Sequence, residues 1–85
     1  MISAGDLVIS LCGHDKGDLF IVLSTEGEYV IICDGKRRKA EKNKKKKTKH
    51  IQPTGLNTDL IDMVPTHSVD AAVRREIKRL REFLN

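Results

Sequence analysis

Apolar residues in the first part of the chain come in short runs broken by turn residues. Asp6 to Cys12 reads DLVISLC and stops at Gly13, and Asp18 to Ser24 reads DLFIVLS after a loop ending in Lys16-Gly17. Glu28 to Asp34 reads EYVIICD and closes on the turn dipeptide Asp34-Gly35. Runs this short, rich in β-branched and aliphatic residues and bounded by glycine, predict three strands. Their connections are too short for parallel crossovers, which need about a dozen residues or more, so the strands are expected to form an antiparallel meander.

The alternation within these runs is not clean. Val8 and Cys12 alternate with Leu7, Ile9 and Leu11, and Phe20 and Val22 alternate with Leu19, Ile21 and Leu23. A sheet wetted on one face would show polar residues at every second position. The sheet is therefore expected to curl on itself, with another element over its outer face. The C-terminal segment is a candidate for that cover. Ser68 stands as an N-cap after Pro65, and Val69, Val73, Ile77, Leu80 and Leu84 recur at spacings of three and four, one stripe of a helix over 68–84. Between the two lie KTKHIQP and DLIDMVP, each a possible closing strand ended by a proline. The expected fold is mainly β: a small half-open barrel in one domain, with a closing strand or loop over 53–67 and one C-terminal α-helix.

Charge changes this picture from a generic barrel to one with a purpose. The stretch 36–50, KRRKAEKNKKKKTKH, holds ten Lys or Arg and one Glu, whereas residues 1–35 hold one Lys against six acids. Dispersed charge serves solubility; cations gathered this tightly repel one another unless a polyanion is near. Neutralising phosphates releases counterions, which is the main sequence-independent source of affinity for nucleic acid. The run is not part of an amphipathic basic helix and no lipidation signal accompanies it, so a membrane surface is the weaker partner. A solvated loop that keeps the chain soluble is the bland alternative. The run, Lys44 to Lys47 included, is expected to lie outside the core.

Other chemistry finds little support. No apolar run approaches the roughly 20 residues needed to span a bilayer. The start, MISAGD, has neither a basic n-region nor an apolar h-region, so no secretory leader is expected and the default location is cytoplasmic. Cys12 and Cys33 sit in apolar stretches that suit buried thiols. Together with His14 and His50 they contain no C-x-x-C pair and match no zinc ribbon or finger, so no metal and no cofactor is expected. No glycine-rich phosphate cradle opens a helix and no nucleophile sits beside an evident base, so no catalytic residue is assigned and an enzyme is not expected.

The first hairpin carries a more specific signal. From Gly5 it reads GDLVISLCGHDKGDLFIV, with Gly13 and Gly17 bracketing a loop in which Lys16 precedes the second glycine. Two glycines four apart allow positive φ at both ends of a tight connection. The pattern resembles the KOW motif at Gly5, Val8, Gly13, Lys16, Gly17 and Val22; Phe20 stands where many members have glycine. KOW modules are SH3-like barrels of ribosomal proteins and of transcription elongation factors of the antitermination type. The run from Asp34 to Gln52 is similar to the segment after the third strand in archaeal and eukaryotic large-subunit ribosomal proteins of the KOW type. It is more similar still to their short bacterial KOW-domain counterparts. The resemblance covers about residues 5–52.

That resemblance implies an RNA-binding, ribosomal-protein-like module, monomeric and part of a ribonucleoprotein, with ribosomal or other structured RNA as partner and most often the large subunit. The implied contacts are Lys36, Arg37, Arg38, Lys39, Lys42, Lys44, Lys45, Lys46, Lys47, Lys49 and His50, with Lys16 reaching from the hairpin loop or simply solvated there. Gly13 and Gly17 shape that loop. His14 and Asp15 have no evident partner and read as solvated loop residues. Phe20, Tyr29 and Phe83, the chain's aromatics, fall in strand or helix patterns that read as core. Without an aromatic platform for unpaired bases, phosphates and shape are what such a protein would recognise. The helix cations are matched by acids in residues 51–85 and read as a solvated face. The alternative is a protein-interaction module of the elongation type; such factors usually carry a further domain ahead of the KOW unit.

Overall fold

The computed structural model describes residues 1–59 and 68–84. Five strands, β1 (Asp6–Ser10), β2 (Leu19–Glu26), β3 (Tyr29–Cys33), β4 (Lys44–Lys47) and β5 (Ile51–Asn57), precede one helix, α1 (Val69–Arg81). They form a single antiparallel sheet in the order β4-β3-β2-β1-β5. The fold is mainly β, a small SH3-like half-open barrel with one C-terminal helix; the half-open barrel and the helix are what the chain's patterning predicts.

Both faces of the sheet are buried, for the reason the broken alternation gave. Leu7 pairs with Ile21 and Ile21 with Cys33, so one row of apolar side chains crosses three strands on the outer face. Val73, Ile77 and Leu80 of α1 pack onto that row, flanked by Leu19, Leu23, Leu56 and Val69. On the inner face Val8, Phe20, Val22, Val30, Ile32 and Ile51 make a second core. A bulge between Val22 and Ser24 and an irregularity between Asp6 and Val8 supply the bend that a curled sheet needs.

Several boundaries differ from expectation. β1 ends at Ser10 instead of Cys12, because Ser10 closes the hairpin by backbone bonds to Gly17 and Asp18 and the chain then turns into the loop. β2 continues to Glu26, since Ser24, Thr25 and Glu26 still pair with Ile31, Val30 and Tyr29 past the bulge. KTKHIQP is divided: its first lysine, Lys47, ends β4, a 3-10 turn covers Thr48–His50, and the rest opens β5. Pro53 does not end that strand. It pairs with Val8 from an edge strand, where its missing N–H costs no ladder bond. The strand expected over DLIDMVP lies, from residue 60 onward, outside the described residues.

At the C-terminus the stripe holds as far as Leu80. Leu84 is exposed, because Glu82–Leu84 tightens into a 3-10 turn whose three residues per turn carry it off the stripe. Phe83 is 67% exposed and so is not core. Ser68 makes no side-chain cap bond; instead Asp70, in the first turn, accepts the Ala40 N–H at 2.7 Å. Glu76 is buried, accepting from the Thr58 hydroxyl at 2.6 Å and from Arg79 at 2.9 and 3.0 Å. The Arg79 bond holds its carboxyl below the usual range against the opposing effect of burial.

Candidate nucleic-acid interface

The basic run is ordered along its length by a few backbone anchors. Asp34 Oδ1 accepts the N–H groups of Lys36 and Arg38 at 2.9 and 2.8 Å, an Asx-type turn that starts the loop. The Arg38 carbonyl in turn accepts from the N–H groups of Asp34 and Gly35. Gly35, at φ +77°, lies against α1: a Cβ there would sit 2.4 Å from the Asp70 carbonyl oxygen. Arg74 donates to the Gly35 carbonyl at 2.6 Å. The four side chains from Lys36 to Lys39 therefore project from a loop tied to the helix, and all four are exposed. A 3-10 turn, Ala40–Lys42, leads into β4.

β4 consists of four lysines, and pairing with β3 sorts them by face. Lys44 stands opposite Ile32 and Lys46 opposite Val30, both members of the inner core, while Lys45 and Lys47 stand opposite Ile31 and Tyr29. Alternation of period two does the rest. Lys46 is buried at 8% exposure, and its ammonium donates to Ser10 Oγ, to the Cys12 carbonyl at 2.7 Å and to Asp15 Oδ1 at 2.8 Å. Three donors meet three acceptors. Lys44 Nζ reaches the other oxygen of the same carboxylate at 2.6 Å. Asp15 also accepts from the Ser10 hydroxyl at 2.7 Å. Burial pushes its carboxyl upward, but the bonds from Lys44, Lys46 and Ser10 outweigh this and hold it well below the usual carboxylate range.

This cluster corrects two expectations. Asp15 is not a solvated loop residue: it collects two lysines from a strand about thirty residues away. Lys44 and Lys46 are not freely solvated lysines outside the core: they share the one Asp15 carboxylate, and Lys46 is buried. On the outer face, Lys45 lies 3.5 Å from Glu26 and 4.9 Å from the Tyr29 ring centroid, with Lys47 6.0 Å from the same ring. Tyr29 is thus a half-buried surface aromatic beneath two ammonium groups, not a core residue.

Of the ten cations in the run, Lys44, Lys45 and Lys46 have carboxylate partners. Lys36, Arg37, Arg38, Lys39, Lys42, Lys47 and Lys49 are exposed and have none among the described residues. Lys16 is likewise exposed at the tip of the first hairpin, and Gly13 and Gly17 beside it have φ of +86° and +88°. His50 is half-buried, its carbonyl accepting from Leu11 at 2.9 Å. Cys33 is buried, and burial with Asp70 and Asp34 nearby pushes its thiol up to about 12; Cys12 is only half-buried. Among the described residues no three His, Cys, Asp or Glu gather as metal ligands, and no helix is long and apolar enough to cross a membrane.

The Asp15 cluster left one trace in the sequence, a lone acid between the glycines of the hairpin loop. Only the strand pairing reveals which lysines it takes. No protein-family model matches the chain, and no curated protein matches it.

Proposed function

We propose that this chain is an RNA-binding module of the KOW type, similar to large-subunit ribosomal proteins, which holds structured RNA by its phosphates and performs no catalysis. The observation that carries this reading is the division of the basic run. Three lysines are paired with two carboxylates, and seven cations are left without one on a loop and strand already fixed to the body of the protein. A binding loop ordered in advance loses less conformational freedom on docking. The paired glycines at positive φ on either side of Lys16 support the KOW hairpin. Tyr29, covered by lysines, gives no open aromatic platform, which favours duplex-like RNA over unpaired bases.

The test is salt-dependent binding to a double-stranded RNA hairpin. With about five to seven phosphates engaged, log K against log[salt] should fall with a slope of roughly −4 to −6. Replacing Lys36, Arg37, Lys39 and Lys42 with Gln should flatten it by about one unit for each phosphate no longer neutralised. Co-sedimentation with large ribosomal subunits should fail at high salt. A parent protein that does not bind, or binds without salt dependence, removes the RNA reading. A protein-interaction module of the elongation type is the second reading, favoured by the exposed Phe83 at the end of the helix; recovery of RNA polymerase through Phe83 would support it.

A further inference from the structure

The loop after β3 and the second half of α1 enclose a groove of about 620 Å³. Lys36 and Arg37 form one wall and Arg74, Lys78 and Arg81 the other, with Leu19 and Ile77 also lining it. Two acids, Asp18 and Asp34, share the lining, but Asp34 is engaged by backbone N–H groups of the loop. None of the five cations has a carboxylate partner among the described residues. The helix divides its charges accordingly: Arg79 pairs with Glu76, whereas Arg74, Lys78 and Arg81 turn to the groove.

We propose that this groove takes a run of duplex RNA backbone, so that α1 is the second half of the RNA footprint and not merely the lid of the barrel. The inference rests on the RNA-binding reading and adds to it the helix wall of Arg74, Lys78 and Arg81, which the basic run does not contain. Size favours a stretch of backbone over a single ion: at roughly 30 Å³ per water the groove has room for about twenty waters. Length agrees. Arg74 to Arg81 spans about 10 Å of helix, the axial run of about three nucleotides in one duplex strand at roughly 3 Å each. The walls are held in register beforehand, by Arg74 on the Gly35 carbonyl at 2.6 Å and by Asp70 on the Ala40 N–H at 2.7 Å. Five cations around one concavity repel one another in the free protein, and a bound phosphate run relieves that repulsion. Duplex RNA, whose deep major groove side chains cannot enter, is recognised through backbone and shape, which is what such a groove offers.

The experiment titrates a double-stranded RNA hairpin against KCl, using the full chain and three variants. Lys78→Gln/Arg81→Gln changes two exposed groove residues while leaving the Arg74 anchor in place. Lys39→Gln/Lys42→Gln changes loop cations outside the groove, and Arg75→Gln removes a helix cation outside it. The Lys78/Arg81 pair should flatten the salt slope by about two units, and Arg75→Gln should leave it at the parent value. If the Lys78/Arg81 pair keeps the parent slope while the Lys39/Lys42 pair flattens it, the groove lies outside the footprint although RNA binding stands. If the parent shows no salt-dependent RNA binding, both readings fall together.

Discussion

The ammonium of Lys46 meets the carboxylate of Asp15 at 2.8 Å across thirty-one residues of chain. β4 ladders only to β3, and Asp15 lies in the loop between β1 and β2, so this contact ties the edge strand to the first hairpin, to which no backbone ladder joins it. Removing Lys46 takes away the buried donor shared by Ser10 Oγ, the Cys12 carbonyl and Asp15, although Asp15 keeps Lys44 at 2.6 Å and the Ser10 hydroxyl at 2.7 Å.

Lys46→Met should therefore destabilise the fold by about 1–3 kcal/mol. Lys47→Gln, one residue away on the outer face, should fall within about 0.5 kcal/mol of the parent. Urea unfolding of the two variants checks this. Equal midpoints would show that the lysines of β4 are interchangeable and that the inward pair contributes nothing.

The same carboxylate sets an acid limit. Because the folded pKa of Asp15 is depressed, its contribution to stability is fully present above the unfolded value, near pH 4, and is lost as pH falls through the folded value. Stability should be insensitive to this group from pH 7 to about 5, then decline below about pH 4. Glu76, depressed through Arg79, acts in the same direction. Asp15→Asn should lower stability at pH 7 and flatten the acid limb, leaving the part owed to Glu76. An unchanged limb in thermal melts from pH 7 to 3 would contradict the cluster.

Two glycines separate backbone strain from crowding. At Gly17, φ +88°, an added Cβ meets nothing within 4 Å, so Gly17→Ala should cost only the left-handed conformation, about 1–2 kcal/mol. At Gly35 the same strain is joined by a clash with the backbone of α1, and Gly35→Ala should cost about 2–5 kcal/mol. Equal losses in chemical denaturation would mean that α1 does not press on the loop.

Leu80 and Phe83 test the docking of the helix itself. Leu80→Ala should cost about 2–5 kcal/mol through lost burial and the cavity left behind, whereas Phe83→Ser should be nearly neutral. A stability loss at Phe83 as large as that at Leu80 would place the C-terminal turn in the core.

What the sequence revealed and what it hid follow from one distinction. β1, β2, β3 and the helix were legible because their apolar periodicity is local and survives any packing. β4 was not. Four consecutive lysines have little strand propensity and no apolar alternation, and only pairing with β3, with Asp15 waiting at the inner face, makes a strand of them. The candidate site followed suit: the run as a whole was visible, but its division into inward and outward lysines depends on a register that no local pattern encodes. Tyr29 and Phe83 were misplaced for the converse reason, since an apolar side chain in a periodic segment can still lie at the border of the core.

The sheet's two free margins carry another consequence. Within the described sheet β4 and β5 are the outermost strands, and such strands offer unpaired backbone groups to any passing chain. One margin is a row of lysines whose repulsion discourages a second copy from adding its own strand; the other is interrupted by Pro53, which has no N–H to donate. Exchanging the lysines of β4 for valine or threonine would improve its intrinsic strand character and at the same time remove the guard against fibre-like stacking. Charge in this segment thus protects the isolated protein from itself, whatever it binds.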